Sequence, residues 1–247
     1  MSTHVVDLSN LGTGFPSYWP NYHDPDPGVT TCDIPIDSEI GKTIIRYFAS
    51  TLGSKTQSYA WPVKIVANTN KKMYKHFLFQ NKSFIEDEGG ANAVWGWHGA
   101  GHLHSKASNQ KNIDSILSLG YDRSFSRAQL WGVGTYFSAK TDYSFFGYCG
   151  SYDISSSHIA AFKTKRALQE KTIILNMLLL GNTERASTYS GKYSNTMHIG
   201  YNSRSVSNDG AGNEFYILGQ GTDKQAFPAF VLYFEHYKNY EYSMPPW

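Results

Sequence analysis

The chain has 247 residues, with 22 Lys and Arg against 20 Asp and Glu, and its net charge of +2 is too small to imply a polyanionic partner by itself. Hydrophobic residues at 40% against charged residues at 17% exclude a disordered chain and describe a globular one. Aromatic residues reach 15%, enough to fill a core and also to wall a pocket for a planar ligand.

Residues 1–35 read as an arm, because four prolines between Pro16 and Pro27 resist both helix and sheet. From Ser38 to Phe48 apolar residues recur at helical spacing, with Asp37 or Ser38 as N-cap. Val63 to Val66 alternates like a short strand, and Tyr74 to Lys82 reads as a second helix. Ala93 to Trp97 is a strand that delivers His98. Asn112 to Leu119 is a short amphipathic helix that Gly120 stops. Gly134 to Ser138 is strand-like, Ser155 to Ala161 reads as helix, and Thr172 to Leu180 as a buried strand. A Ser/Tyr/Gly-rich loop is expected from Asn182 to Gly212, with Glu214 to Leu218 and Phe230 to Glu235 as closing strands. No repeat interrupts this order, so one α+β domain is expected over 36–241, followed by a tail over 242–247.

Several suggestive motifs fail on spacing. Gly41-Lys42-Thr43 looks like the end of a phosphate-binding loop, but the glycine needed five residues earlier is Ile36. Gly132-Val133-Gly134 has no third glycine at the spacing of a dinucleotide fingerprint. His98, His102 and His104 cluster without a Cys or carboxylate at ligand spacing, so no metal is expected. Cys32 and Cys149 are too few for a disulfide framework, though one bridge remains open. The longest apolar stretch, Ile173 to Leu180, is interrupted by Asn176 and too short to span a bilayer. The first residues lack a basic region followed by an apolar core. The expectation is a soluble cytoplasmic or nuclear protein without a membrane partner, export by a leaderless route staying open.

Four segments carry chemistry in a fixed order. They are Trp97-His98-Gly99-Ala100, Ile116 to Phe125, Trp131 to Ala139 continuing through Ser144 to Tyr148, and Gly212 to Leu218. Together they resemble the catalytic domain of the poly(ADP-ribose) polymerase family. That family shows a strand ending in His-Gly, a helix ending at glycine, Gly-x-Gly-x-Tyr-Phe-Ala, and then Asn-Glu-Tyr or a variant. Singly, His98 would pass for a core histidine, Tyr136 for core and Glu214 for a loop charge. Their joint order argues otherwise.

The resemblance implies the ADP-ribosyltransferase fold, a split mixed or antiparallel sheet flanked by short helices. It implies NAD as co-substrate and a His-Tyr-Glu triad at His98, Tyr136 and Glu214. His98 would hold the adenosine ribose and the Gly99 backbone the nicotinamide amide. Tyr136 and a second ring, Tyr148 or else Tyr143, would sandwich nicotinamide, with the Ser144 hydroxyl on its carboxamide. Tyr121, Arg123, Phe137 and Ala139 would complete the NAD site. Glu214 would hold the ribose hydroxyls, stabilise developing positive charge and orient the acceptor.

Two positions depart from the polymer-forming pattern. Gly212 stands where those members resemble Tyr-Asn-Glu, and Tyr143 where they carry lysine before the serine. The Asp122–Leu130 loop is also short, and no helical autoinhibitory domain is expected upstream. Mono- or short oligo-ADP-ribosylation of protein, the chain itself included, is therefore favoured over polymer synthesis, with nucleic acid the less favoured acceptor. A glycohydrolase, or a module that binds NAD or ADP-ribose without reaction, is the reading from another class. Arg166, Arg185 and Arg204 are candidates to steer the NAD phosphates.

Overall fold

The structure is a computed structural model that describes residues 15–16, 19, 30–52, 62–100, 106–122, 124, 128–129, 131–147, 172–186, 197–207, 214–219 and 222–234. In chain order the elements are β1 (Thr31–Ile34), α1 (Glu39–Thr51), β2 (Lys64–Asn68), α2 (Lys71–Glu88), β3 (Ala93–Gly99) and α3 (Lys106–Leu119). Then come β4 (Ala128–Gln129), β5 (Gly132–Val133), β6 (Thr135–Ser138), α4 (Thr141–Gly147), β7 (Thr172–Leu179) and β8 (Thr183–Ala186). The last are β9 (Ser203–Ser207), β10 (Glu214–Leu218), α5 (Thr222–Gln225) and β11 (Ala226–Tyr233). Nine strands form one sheet in the order β1-β2-β11-β7-β3-β6-β10-β9-β8, and β4 and β5 pair separately. This is the α+β class expected.

The sheet is mixed and split. Its described pairs are antiparallel except β8 with β9, which run parallel. β3 matches β7 over seven residue pairs but shares a single pair with β6, Trp97 with Ser138. Two half-sheets therefore meet at one rung.

Alternation along the strands decides what each face packs against. Trp97, Leu175, Met177, Phe227 and Phe230 lie in one buried cluster with Phe48 of α1 and Tyr74 and Phe77 of α2. On the opposite face Ile174 and Val231 meet Ile113 and Leu117 of α3. β7 is buried along its whole length, which accounts for its near-continuous apolar run.

Local chemistry explains the helix ends. Ser38 is the N-cap of α1, its hydroxyl accepting the Gly41 amide at 3.1 Å. The Gly41-Lys42-Thr43 triplet is first-turn helix, with the Thr43 hydroxyl donating to the Glu39 carbonyl at 2.7 Å. α2 runs longer than Tyr74 to Lys82, because Asn70 caps its start by accepting the Met73 amide at 3.0 Å. α3 begins before Asn112 and ends where Gly120 turns to φ 84°.

Other departures from the sequence reading are equally local. The expected arm contributes Thr31–Ile34 to the sheet as β1 and buries Trp19 in the core. The expected loop from Asn182 to Gly212 contains two strands, β8 and β9. β11 begins at Ala226, earlier than Phe230, and its register shifts between Pro228 and Phe230. Proline cannot donate to a ladder, so a bulge accommodates it. The helix read over 155–161 and the tail over 242–247 lie outside the described residues.

Candidate active site

The three residues expected to form a triad stand on strands that neighbour one another in the sheet. His98 is on β3, Tyr136 on β6 and Glu214 opens β10. Ser138 pairs with Trp97 on one side and with Phe215 on the other, so His98 and Glu214 both flank that row. Adjacent strands are about 4.8 Å apart, which sets the β3 and β10 backbones roughly 10 Å from each other. Such a separation suits contact with different parts of one elongated ligand, not a joint grip on one atom.

His98 is half-buried where β3 and β6 part, and its Nδ1 lies 2.9 Å from the Tyr136 carbonyl. A carbonyl only accepts, so Nδ1 carries the proton and the neutral ring presents Nε2 as an acceptor. Burial lowers the His98 pKa from its ordinary value, against the opposing pull of the Tyr136 carbonyl. At neutral pH, Nε2 can accept from a hydroxyl such as that of a ribose.

Two buried rings support the imidazole from behind. Tyr121 meets it edge to face at 5.0 Å and Phe137 lies tilted at 5.5 Å, the two rings being 5.1 Å apart themselves. The Tyr121 hydroxyl donates to Asn176 Oδ1 at 2.7 Å. Asn176 Nδ2 donates onward to the carbonyls of Gly96 and Ile174, both at 3.1 Å. Burial pushes the Tyr121 phenol well above its ordinary pKa, the Asn176 hydrogen bond only partly offsetting it. The side chains of Tyr121 and Phe137 thus sit beneath His98, and Asn176 is a supporting residue that sequence reading missed. Its only signal was an amide interrupting an apolar strand.

Tyr136 is anchored at its hydroxyl, which accepts the Trp131 amide at 3.1 Å and donates to the Gly132 carbonyl at 2.8 Å. The spacing of Gly132-Val133-Gly134 serves this turn. A side chain at Gly134 would meet the Leu218 carbonyl oxygen at 2.6 Å, so β6 and β10 approach as they do only without one. Ala139 continues β6 and donates its amide to the Glu214 carbonyl at 3.0 Å.

Glu214 is half-buried and lies beside Tyr216, two residues on along β10. Burial first, and then the Glu214 carboxylate with which it hydrogen-bonds, raise the Tyr216 phenol above its ordinary pKa. On α4 the Ser144 hydroxyl is buried and donates to the Trp97 carbonyl at 2.9 Å, leaving its oxygen able to accept. Tyr143 packs edge-on against Phe215 at 4.3 Å. Gly99 closes β3 opposite Ile173. Arg123 and Tyr148 lie outside the described residues.

Of the arginines read as phosphate-steering, Arg204 is buried and already engaged. Its Nε and Nη2 donate to Glu184 Oε2 at 2.9 and 2.8 Å, and its Nη1 donates to the Trp131 carbonyl. Glu184 Oε1 also meets His198 Nδ1 at 2.5 Å. Arg185 is exposed on β8, and position 166 lies outside the described residues. Among the described residues no three His, Cys, Asp or Glu converge as a metal-ligand group, and no helix is long and apolar enough to cross a membrane.

No protein-family model matches the chain, and no curated protein sequence matches it. Solved structures do. The crystal structure of the PARP domain of Arabidopsis RADICAL-INDUCED CELL DEATH1 is similar with a TM-score of 0.57 at 17% sequence identity. The match covers 79% of this chain and 98% of that domain. At that identity the likeness speaks for architecture alone: this chain has the fold of a PARP domain.

Proposed function

We propose that this chain is an NAD-dependent ADP-ribosyltransferase that transfers one or a few ADP-ribose units to protein and releases nicotinamide. The observation that carries this reading is the placement of His98, Tyr136 and Glu214 on the neighbouring strands β3, β6 and β10, at the split of a PARP-type sheet.

The residues fit the chemistry such a donor needs. The C1′–N bond between ribose and nicotinamide breaks, its electron pair leaves with nicotinamide, and positive charge builds on the ribose. The acceptor's nucleophilic atom then bonds to C1′ and gives up its proton. A neutral His98 with Nε2 as acceptor suits a ribose hydroxyl at the adenosine end. The Glu214 carboxylate suits the ribose hydroxyls at the reacting end and the positive charge beside them. A carboxylate there also suits orienting or deprotonating the acceptor. Tyr136 offers a ring fixed at its hydroxyl, and Tyr143 a second ring held by Phe215. Gly212 and Tyr143 favour single or few transfers over chain growth.

The test is incubation of the purified chain with labelled NAD beside a Glu214→Ala variant, with products resolved by gel and by mass. Discrete label on protein that disappears in the variant supports the proposal. A ladder or smear would replace it with polymer synthesis, and free ADP-ribose alone with NAD hydrolysis. NAD binding without turnover would replace it with a binding module.

A further inference from the structure

Arg204 is an odd residue to find fully buried on a strand. Its strand β9 lies next to the edge of the sheet, between β8 and β10. Arg204 pairs with Ile217 of β10 and Glu184 of β8, and Ile217 belongs to a buried group with Trp131, Ala186, Val206 and Phe215 against which Tyr136 packs. A guanidinium removed from water is tolerated only when its donors are matched. Here two go to Glu184 on β8 and one to the Trp131 carbonyl.

The second partner is the informative one. Trp131 is one residue before β5 and is held at both ends of its backbone. Its carbonyl accepts from Arg204, while its amide donates to the Tyr136 hydroxyl at 3.1 Å. The same hydroxyl donates to Gly132 at 2.8 Å. Hydrogen bonds joined through the backbone of Trp131 therefore link Glu184 and Arg204 to the tip of Tyr136. Packing alone leaves a phenol ring free to slide along its apolar neighbours, whereas a ring fastened at its hydroxyl has one position. A planar guanidinium is suited to the task, since it presents donors to two partners in fixed directions.

We infer that Arg204 is a positioning residue for Tyr136, and that the Glu184–Arg204–Trp131 chain sets the ring against which the nicotinamide of NAD stacks. This rests on the NAD reading above and assigns a residue distant from the substrate to one end of it. The effect is selective: disturbing Arg204 loosens the nicotinamide end, while the ADP-ribose end, which depends on His98, keeps its contacts.

Selectivity supplies the test. Binding of free nicotinamide and of ADP-ribose is measured by titration on the full chain, for wild type, Arg204→Lys, Tyr136→Phe and the combined variant. Lysine keeps the charge but lacks the planar fork, so it cannot hold Glu184 and the Trp131 carbonyl together. The expected result is about tenfold weaker nicotinamide binding in each single variant, with ADP-ribose unchanged within about twofold. The combined variant should be no worse than either single one, because both break the same chain. Should Arg204→Lys fail to fold, Arg204→Leu with Glu184→Leu takes its place, since it leaves no unpaired buried charge, and the same selective loss is expected. Equal weakening of both ligands, unchanged nicotinamide binding, or fully additive effects would each overturn the inference. A wild-type chain that binds neither ligand would instead bring down the NAD reading, and this inference with it.

Discussion

The imidazole Nδ1 of His98 and the carbonyl oxygen of Tyr136 lie 2.9 Å apart, across the gap where β3 and β6 have stopped exchanging ladder bonds. A side chain there takes over the duty of a backbone amide. The substitution fixes which nitrogen holds the proton and leaves Nε2 as the acceptor.

His98 should make the protein sensitive to mild acid. Its folded-state pKa is lowered, so the neutral ring contributes stability that is complete above the unfolded value of about 6.5. That stability is lost as pH falls from there toward the folded pKa. Thermal midpoints measured between pH 7.5 and 5 should decline more steeply for wild type than for His98→Asn, and parallel curves would refute this assignment.

If Glu214 stabilises charge that develops only during bond breaking, Glu214→Gln should lower kcat far more than it raises KM for NAD. A loss of about 10² to 10⁴ in kcat is expected, and steady-state kinetics with labelled NAD measures it. His98→Ala should show the complementary pattern, raising KM for NAD by about tenfold or more through lost hydrogen bonding to the ribose.

Removing the Tyr121 hydroxyl leaves Asn176 Oδ1 without that donor in a fully buried strand. Tyr121→Phe should therefore cost about 1–3 kcal/mol in urea unfolding even though it adds no bulk. A change within about 0.5 kcal/mol would mean that Asn176 finds another donor.

Gly134→Ala places a methyl 2.6 Å from the Leu218 carbonyl oxygen and from Ile217 Cγ2. Backbone cannot yield as a flexible side-chain end does, so about 1–3 kcal/mol of destabilisation is expected. Denaturant midpoints would show it, with Gly90→Ala as a control because nothing lies within 4 Å of that position.

Much of this architecture was legible in the chain. β3, β7 and β10 carry apolar runs or alternations, and the Ser38 cap and Gly120 stop are local chemistry. The candidate site residues were read from short contiguous motifs, and His98, Tyr136 and Glu214 lie on the neighbouring strands β3, β6 and β10. β9 was not legible, since its sequence is Ser-Arg-Ser-Val-Ser and only Val206 announces an apolar face. Its burial comes from pairing with β10, a contact between distant parts of the chain. Arg204 was read as a candidate to steer the NAD phosphates for the same reason, since its carboxylate partner stands on β8, across the parallel β8–β9 pair. β1 and the start of β11 escaped through brevity and through Pro228, which reads as a break until its bulge is seen.

A sheet gives way where it has fewest rungs. Seven pairs join β3 to β7, five join β10 to β9, and one joins β3 to β6. The seam between the half-sheets is thus the natural place for the molecule to breathe, and it is also where His98 and Tyr136 face each other. Amides along that seam should exchange with solvent earlier than those of β7, because fewer ladder bonds must break for the two half-sheets to part there.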